Sequence, residues 1–322
     1  MSIKKNILIT GGAGFIGSNI VEALLQDERV GKVCVLDNLA TGYISNIREF
    51  DSNPNFRFIE GDICSYQTCL EACEGIDLIS HQAALGSVPR SINDPIATNE
   101  TNITGTLNIF TAAKALHIKR VVFAASSSTY GDSESLPKME DVIGKPLSPY
   151  AVTKYVSELY AHVFALNYDF EYIGLRYFNV FGPKQSPNGA YAAVIPLFVD
   201  ALIKNESPTI NGDGLVSRDF TYVANAVRAN ILALFTENKQ AVNQIYNVAC
   251  GERTTLNQLW EMLQQAANST LQPIYGTSRK GDIPHSLADI SKIKNNLNYS
   301  PEVDIESGLS KTFRFSTKSK HA

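Results

Sequence analysis

The sequence predicts an α/β fold: a doubly wound parallel sheet with a smaller mixed α/β unit laid over it. Three observations carry this. In the first half, apolar runs of strand length alternate with amphipathic stretches of helix length. A glycine-rich turn stands where the first strand gives way to the first helix. Beyond about Phe178 the alternation loosens into shorter, turn-rich pieces.

Taken in order, "NILIT" is the first strand and Phe15 to Gln26 the first helix. "KVCVLD" is the second strand and leads into a short helix; "FRFIEGD" is the third, with another helix behind it. "IDLISHQAA" gives a fourth strand, a long helix runs near Thr98 to Leu116, and "RVVFAAS" is the fifth strand. In "SPYAVTKYVSELYAHVFALNY", Ser148 is placed to cap a helix that has Pro149 at its first position, and "EYIGLRYFNV" reads as the strand after it. The nucleotide-binding unit is therefore expected over 1–178, with segments around 215–250 returning to it, and a substrate unit over 179–322. Open parallel sheets bind ligands beyond the carboxyl ends of their strands, so the crevice between the two units is the expected site.

Composition removes several classes of function. With 322 residues, 44% apolar and 19% charged, the chain can bury a substantial core, and only the final "STKSKHA" reads as disordered. A formal charge of -4 without a basic run leaves no footprint for nucleic acid. The opening "MSIKKNILIT" has no signal-peptide core, and no run of about 18 apolar residues follows, so no membrane partner and a cytoplasmic address are expected. The five cysteines form no Cys-x-x-Cys pair and the five histidines have no ligand spacing, so neither a disulfide framework nor a metal is expected.

"ITGGAGFIGSN" places Gly11, Gly14 and Gly17 between the first strand and the first helix, where bare backbone can approach a pyrophosphate favoured by the helix N-terminus. Asp37 ends the second strand, 20 residues after Gly17, where a carboxylate can accept from an adenosine ribose diol and repel a 2′-phosphate. Together these predict a Rossmann site for NAD. "GDI", Gly61 to Ile63, is placed to edge the adenine.

Tyr150 and Lys154 stand one helical turn apart on one face. A phenol with a reference pKa of about 10 becomes a base at neutral pH only where positive charge favours phenolate, and Lys154 and the helix N-terminus supply it. "AASSSTYG" adds a hydroxyl cluster, Ser126, Ser127 and Ser128, at the end of the preceding strand.

With these residues in view, the sequence resembles the extended short-chain dehydrogenases/reductases, and within them the UDP-hexose 4-epimerases, most of all those acting on UDP-N-acetylglucosamine. The resemblance runs through "TGGAGFIG", "SSSTYG", "YAVTK", "LRYFNVFGP", "RDFTYV" and "GDIPHSLADISK". It implies that Tyr150 takes the proton of the sugar 4-hydroxyl, that Ser126 relays or orients it, and that Lys154 holds the nicotinamide ribose and lowers the tyrosine pKa. It implies NAD contacts at Gly11, Gly14, Phe15, Ile16, Gly17, Asp37, Asn38, Asp62, Ile63, Ala83, Ala84 and Asn102. On the UDP-sugar side it implies Asn179, Asn211, Arg218 and Arg279 on the diphosphate and uridine, Ala193 and Val194 at the uracil, and Asp282 on the ribose. A homodimer through two long helices per subunit is implied in the same way.

Ser286 falls where glucose/galactose-restricted relatives carry a tyrosine beside the sugar C2 position. A serine leaves room for an N-acetyl group, with Ser87, Ser127 and Ser128 as polar partners for its amide. The expected reaction is reversible 4-epimerisation of UDP-N-acetylglucosamine and UDP-N-acetylgalactosamine, with weaker action on UDP-glucose and UDP-galactose. A nucleotide-sugar 4,6-dehydratase is disfavoured, because relatives of that kind carry Thr-Asp-Glu where this chain has three serines. A UDP-uronic acid epimerase stays open through Arg90, as does a silent NAD-binding sensor.

Overall fold

The computed structural model describes residues 4–188, 192–277 and 285–320. Its centre is a seven-stranded, all-parallel sheet. The first six strands are β1 (Lys5–Thr10), β2 (Val30–Asp37), β3 (Phe56–Glu60), β4 (Leu78–His81), β5 (Arg120–Ser126) and β6 (Glu171–Tyr177). A seventh, Gln244–Val248, joins at the β6 edge, so that the spatial order is Gln244–Val248, β6, β5, β4, β1, β2, β3. The order reverses between β1 and β4, where loops leaving their carboxyl ends part in opposite directions and open a crevice. The sequence-predicted fold class is the one observed.

The strands read as near-continuous apolar runs because both faces are covered. Their residues alternate between two cores. Ile7, Ile9, Val33, Val35 and Val122 pack on one face, while Leu8, Cys34, Leu36, Val121 and Phe123 pack on the other. The first face is covered by α1 (Phe15–Leu25) and a later helix, Val223–Phe235; the second by α2 (Tyr66–Ala72) and the helices between β4 and β6.

Those intervening helices are α3 (Val88–Asn93), α4 (Pro95–Asn99), α5 (Gly105–Ala115) and α6 (Pro149–Asn167). The helix expected from Thr98 starts three residues earlier, because Asp94 caps it, accepting from Ala97 N at 3.0 Å, and Pro95 occupies its first turn. Between α4 and α5 the chain widens into a π-turn over Glu100–Thr104. α6 begins as read from the sequence, with the Ser148 hydroxyl accepting from Ala151 N at 3.1 Å. The short helix expected after β2 is two 3-10 turns, Ile44–Asn46 and Arg48–Phe50.

After β6 the chain makes paired two- and three-residue strands: Val180–Phe181 with Thr221–Tyr222, Ser217–Arg218 with Thr254–Thr255, and Thr209–Asn211 with Ile274–Gly276. Such short ladders leave little period in a sequence. Among the described residues, no helix is long and apolar enough to cross a membrane, and no His/Cys/Asp/Glu cluster is suited to hold a metal.

Candidate active site

The carboxyl ends of β1, β2, β4 and β5 open onto a cleft of about 660 Å³. Gly11, Gly14 and Gly17 line it at the first turn. Their lack of side chains is enforced by packing. A Cβ on Gly11 would stand 2.6 Å from Ala83 N, one on Gly17 would stand 2.1 Å from Gly11 O, and Gly11 also has φ +70°. Phe15 and Ile16 complete this wall at the start of α1.

Asp37 stands at the end of β2 and is almost wholly buried. Its Oδ2 accepts from Ala13 N at 2.9 Å and its Oδ1 from Leu39 N at 2.8 Å, which joins the carboxylate to the glycine turn. Burial pushes its pKa up, and the two amides oppose that rise. Asn38 and Ile63 line the same end of the cleft. Asp62 braces Asn38 from behind, accepting from Asn38 Nδ2 at 2.8 Å and from Cys64 N at 2.8 Å. Burial would raise the Asp62 carboxyl, but these hydrogen bonds hold it below the usual range.

Ala83, Ala84 and Ser87 line the cleft in the loop after β4. Asn102 does not; it is buried in the π-turn behind that loop. Its Oδ1 accepts from Leu85 N at 2.8 Å, and its Nδ2 donates to Leu85 O at 3.2 Å and to Thr153 Oγ1 at 3.0 Å. It thus ties the loop to α6.

Ser126, Tyr150 and Lys154 line one wall together. Lys154 Nζ donates to Ala124 O at 2.9 Å and lies 5.9 Å from the Tyr150 ring centroid. Burial lowers the Lys154 pKa to about 8, and the Glu158 carboxylate one turn on opposes it. Glu158 is itself locked by Arg176, at 2.9 and 2.7 Å, in a buried pair. Burial pushes the Tyr150 phenol above its usual value against the hydrogen bond with Ser126, so the lowering by Lys154 that the resemblance implied is not what this site shows.

Ser128 donates to Ser126 Oγ through both its amide, at 3.1 Å, and its hydroxyl, at 2.9 Å. With Ser126 Oγ accepting twice, its own proton is left to face Tyr150. Neither Ser127 nor Ser128 is on the cleft wall, so the expected pairing of their hydroxyls with an N-acetyl amide is replaced, for Ser128, by this internal bond.

A second cavity of about 640 Å³ adjoins the first, sharing Asn179, Val180, Gln185, Ala192 and Ala193 with it. Val194, Asn211 and Arg218 line it. Asn179 takes φ +37° and donates from Nδ2 to Asp219 O at 3.1 Å. Ser286 is half-buried, outside both linings, with its amide donating to Ser217 O at 3.1 Å beside Arg218. Arg279 and Asp282 lie outside the described residues.

Two features escaped sequence reasoning. Tyr177 and Gln82 line the cleft and bond to each other at 3.0 Å; Asn230 Nδ2 donates to the Tyr177 hydroxyl at 2.7 Å. Burial pushes that phenol up. His81 lies beneath the cleft, with Nδ1 2.6 Å from Thr10 Oγ1 and Nε2 2.9 Å from Thr106 Oγ1. Thr106 donates to Asn102 O at 2.6 Å, so its lone pair receives His81 Nε2–H and Nδ1 accepts from Thr10. Burial lowers the His81 pKa to about 3, leaving it neutral. Arg90 also lines the cleft, and its guanidinium has no hydrogen-bond or ion-pair partner among the described residues. Tyr177, Gln82, Asn230 and His81 are buried or half-buried polar groups in apolar-looking runs, and only that contrast marks them in the sequence.

Comparison with known proteins agrees with this geometry. The model of the NAD dependent epimerase/dehydratase family matches residues 7–249. A putative UDP-glucose 4-epimerase of Methanocaldococcus jannaschii is 37% identical over 305 residues, covering 94% of this chain and 95% of that one. A UDP-N-acetylglucosamine 4-epimerase from Methanobrevibacter ruminantium, solved with UDP-N-acetylmuramic acid, superposes with a TM-score of 0.93 at 40% identity, over 99% of this chain and 100% of the other. A UDP-glucuronic acid 4-epimerase from Bacillus cereus, solved with UDP-glucuronic acid and NAD, gives a TM-score of 0.89 at 31% identity, over 97% and 99%. The glycine turn, which a Cβ at Gly11 or Gly17 would fill, leaves bare backbone for a pyrophosphate, and the chain belongs to the NAD dependent epimerase/dehydratase family, as an NAD-using enzyme of its UDP-sugar 4-epimerase branch.

Proposed function

We propose that the protein interconverts UDP-N-acetylglucosamine and UDP-N-acetylgalactosamine at C4, and acts more weakly on UDP-glucose and UDP-galactose. The observation that carries the reading is the convergence of Ser126, Tyr150 and Lys154 on one wall of the cleft that begins at Gly11, Gly14 and Gly17.

NAD, when bound, would supply a hydride acceptor and donor for the sugar C4. Gly11, Gly14 and Gly17 would admit its pyrophosphate, Asp37 would accept from the adenosine ribose, and Lys154 would hold the nicotinamide ribose. Tyr150, as phenolate, takes the proton from the sugar O4 as the C4–H bond breaks, and returns it after the 4-keto sugar has turned over. Ser126, oriented by Ser128, donates to the phenolate and shares that proton. Lys154, positively charged below about pH 8, stabilises the phenolate. On the UDP side, Asn179, Asn211, Arg218 and Arg279 hold the diphosphate and uridine, with Asp282 on the ribose and the Ala193–Val194 backbone at the uracil. A nucleotide held this firmly keeps the ketone from escaping.

Ser286 supports the N-acetylated pair through the resemblance, which puts a serine where glucose/galactose-restricted relatives carry a tyrosine; it is half-buried and outside both cavity linings. Purified protein is expected to convert UDP-N-acetylglucosamine faster than UDP-glucose without added NAD, with products resolved by proton NMR. Ser286→Tyr is expected to slow the N-acetylated pair by roughly tenfold or more while sparing UDP-glucose, the loss a steric block of an amide-bearing substituent produces. Equal loss on both substrates removes Ser286 from specificity. No turnover of any UDP-sugar by NAD-loaded protein leaves a dinucleotide sensor.

Arg90 favours a second reading, an acidic UDP-sugar. A guanidinium in the cleft with no partner among the described residues is suited to a carboxylate in fork geometry. UDP-glucuronic acid belongs in the same assay, and its faster conversion replaces the first reading with this one.

A homodimer is part of the proposal. Ile92, Ile96, Val152, Leu159, Val163 and Leu166 are exposed on the packed helices α3, α4 and α6, and on α6 they recur at helical spacing. A second copy covering this face is expected to give twice the chain mass in sedimentation, and a monomer at micromolar concentration rejects it.

A further inference from the structure

Asp219 follows Arg218 on the substrate side of the site and has no exposed surface. No cation pairs with it among the described residues. Three backbone amides do the work instead. Oδ1 accepts from Cys250 N at 2.9 Å, and Oδ2 accepts from Gly251 N at 3.0 Å and Ala288 N at 3.3 Å. Gly251 takes φ +78°, and two successive amides there converge on the one carboxylate, an anion-binding concavity formed by backbone alone. Burial pushes the Asp219 carboxyl up to about 6 while these amides hold it down, so it is ionised above that pH.

The same residue reaches the cleft through its backbone. Asp219 O accepts from Asn179 Nδ2 at 3.1 Å, and Asn179 borders both cavities. On the other side, Ala288 belongs to a segment laid along Ser217–Arg218. Ser286 N donates to Ser217 O at 3.1 Å, Ser217 Oγ lies 2.9 Å from His285 Nδ1, and Lys138 bonds to Leu287 O at 2.7 Å and to Asp289 N at 2.9 Å. The Asp219 bonds differ from these in being charge-assisted, which are the stronger kind, and the one to Ala288 N is buried.

We infer that Asp219 is a positioning residue: its carboxylate fixes the segment 285–290 against the Arg218 strand, and its carbonyl fixes Asn179, so that it sets the distance between the two walls that grip the UDP part of the substrate. The inference rests on the proposed UDP-sugar reading. An asparagine at this position offers one acceptor oxygen and turns an NH2 group toward amides that also donate, so at least one N–H loses its partner.

The test is Asp219→Asn in full-length, NAD-loaded protein, with UDP itself as the titrant, because its binding needs no turnover. The Kd for UDP is expected to rise about tenfold, the size of one lost charge-assisted bond, with KM for the sugar nucleotide rising in step and kcat within about threefold. Bound NAD stays at the wild-type ratio, and hydrogen exchange quickens in 285–290. An unchanged Kd overturns the inference, as does a fall in kcat with KM unmoved. If wild-type protein binds UDP tightly but turns over no UDP-sugar, the functional reading fails and the UDP titration still decides this one. Should Asp219→Asn not fold, Ser217→Ala frees the same segment at His285, and is expected to raise the UDP Kd about threefold; no rise overturns the inference.

Discussion

Tyr150→Phe is expected to lower turnover by roughly 10²- to 10⁴-fold, the range a positioned acid–base group contributes, while leaving NAD bound. Phenylalanine removes one oxygen from the cleft wall and no packing surface. Lys154 keeps its bond to Ala124 O and Ser126 keeps its two donors from Ser128, so the rest of the site has no reason to move. NAD released on denaturation and counted against protein, with product formation from UDP-N-acetylglucosamine in a single turnover, separates chemistry from cofactor loss. A variant within about threefold of wild type would falsify the assignment of Tyr150 as the base.

Gly17→Ala is expected to yield protein without NAD and less stable by about 3 kcal/mol, toward the upper end for an overpacked core. The added Cβ would lie 2.1 Å from Gly11 O and 2.8 Å from Gly12 Cα, backbone atoms of the turn that must meet the pyrophosphate. α1 can relieve that clash only by lifting off the turn. Gly86→Ala is the control: nothing lies within 4 Å of its added Cβ, and it should purify with NAD and melt like wild type. Gly17→Ala protein that retains a full complement of NAD contradicts the account of the turn.

What the sequence made legible depended on how local each signal is. The turn at Gly11, the acid at Asp37 and the cap at Ser148 each announce themselves within a few residues, and all stand where expected. Ser126, Tyr150 and Lys154 were readable as a set because strand end and helix start are fixed by their own runs. Asn102 was harder. Its neighbours Leu85 and Thr153 are 17 and 51 residues away, and the π-turn that aims it has no local signature. Ser128 looked like a ligand contact because a hydroxyl two residues from Ser126 reads the same whether it points outward or inward. Past β6, strands of two residues are held by partners more than 30 residues away, and no periodicity survives at that length.

The chain of bonds through His81 bears on how the reaction is timed. From Ala83 N it passes through Thr10, His81, Thr106 and Asn102 to Thr153, whose hydroxyl bonds to Tyr150 O. The cofactor turn and the base are thereby braced as one stiff frame beneath the cleft. The proposed reaction nevertheless requires a half-turn between two hydride transfers, which a frame of this kind does not supply. In that proposal the rotation falls to the hexose, swinging about its bonds to the diphosphate. Its cost then depends on how many hydroxyls must let go of the walls, and a sugar gripped too well would be oxidised once and stall.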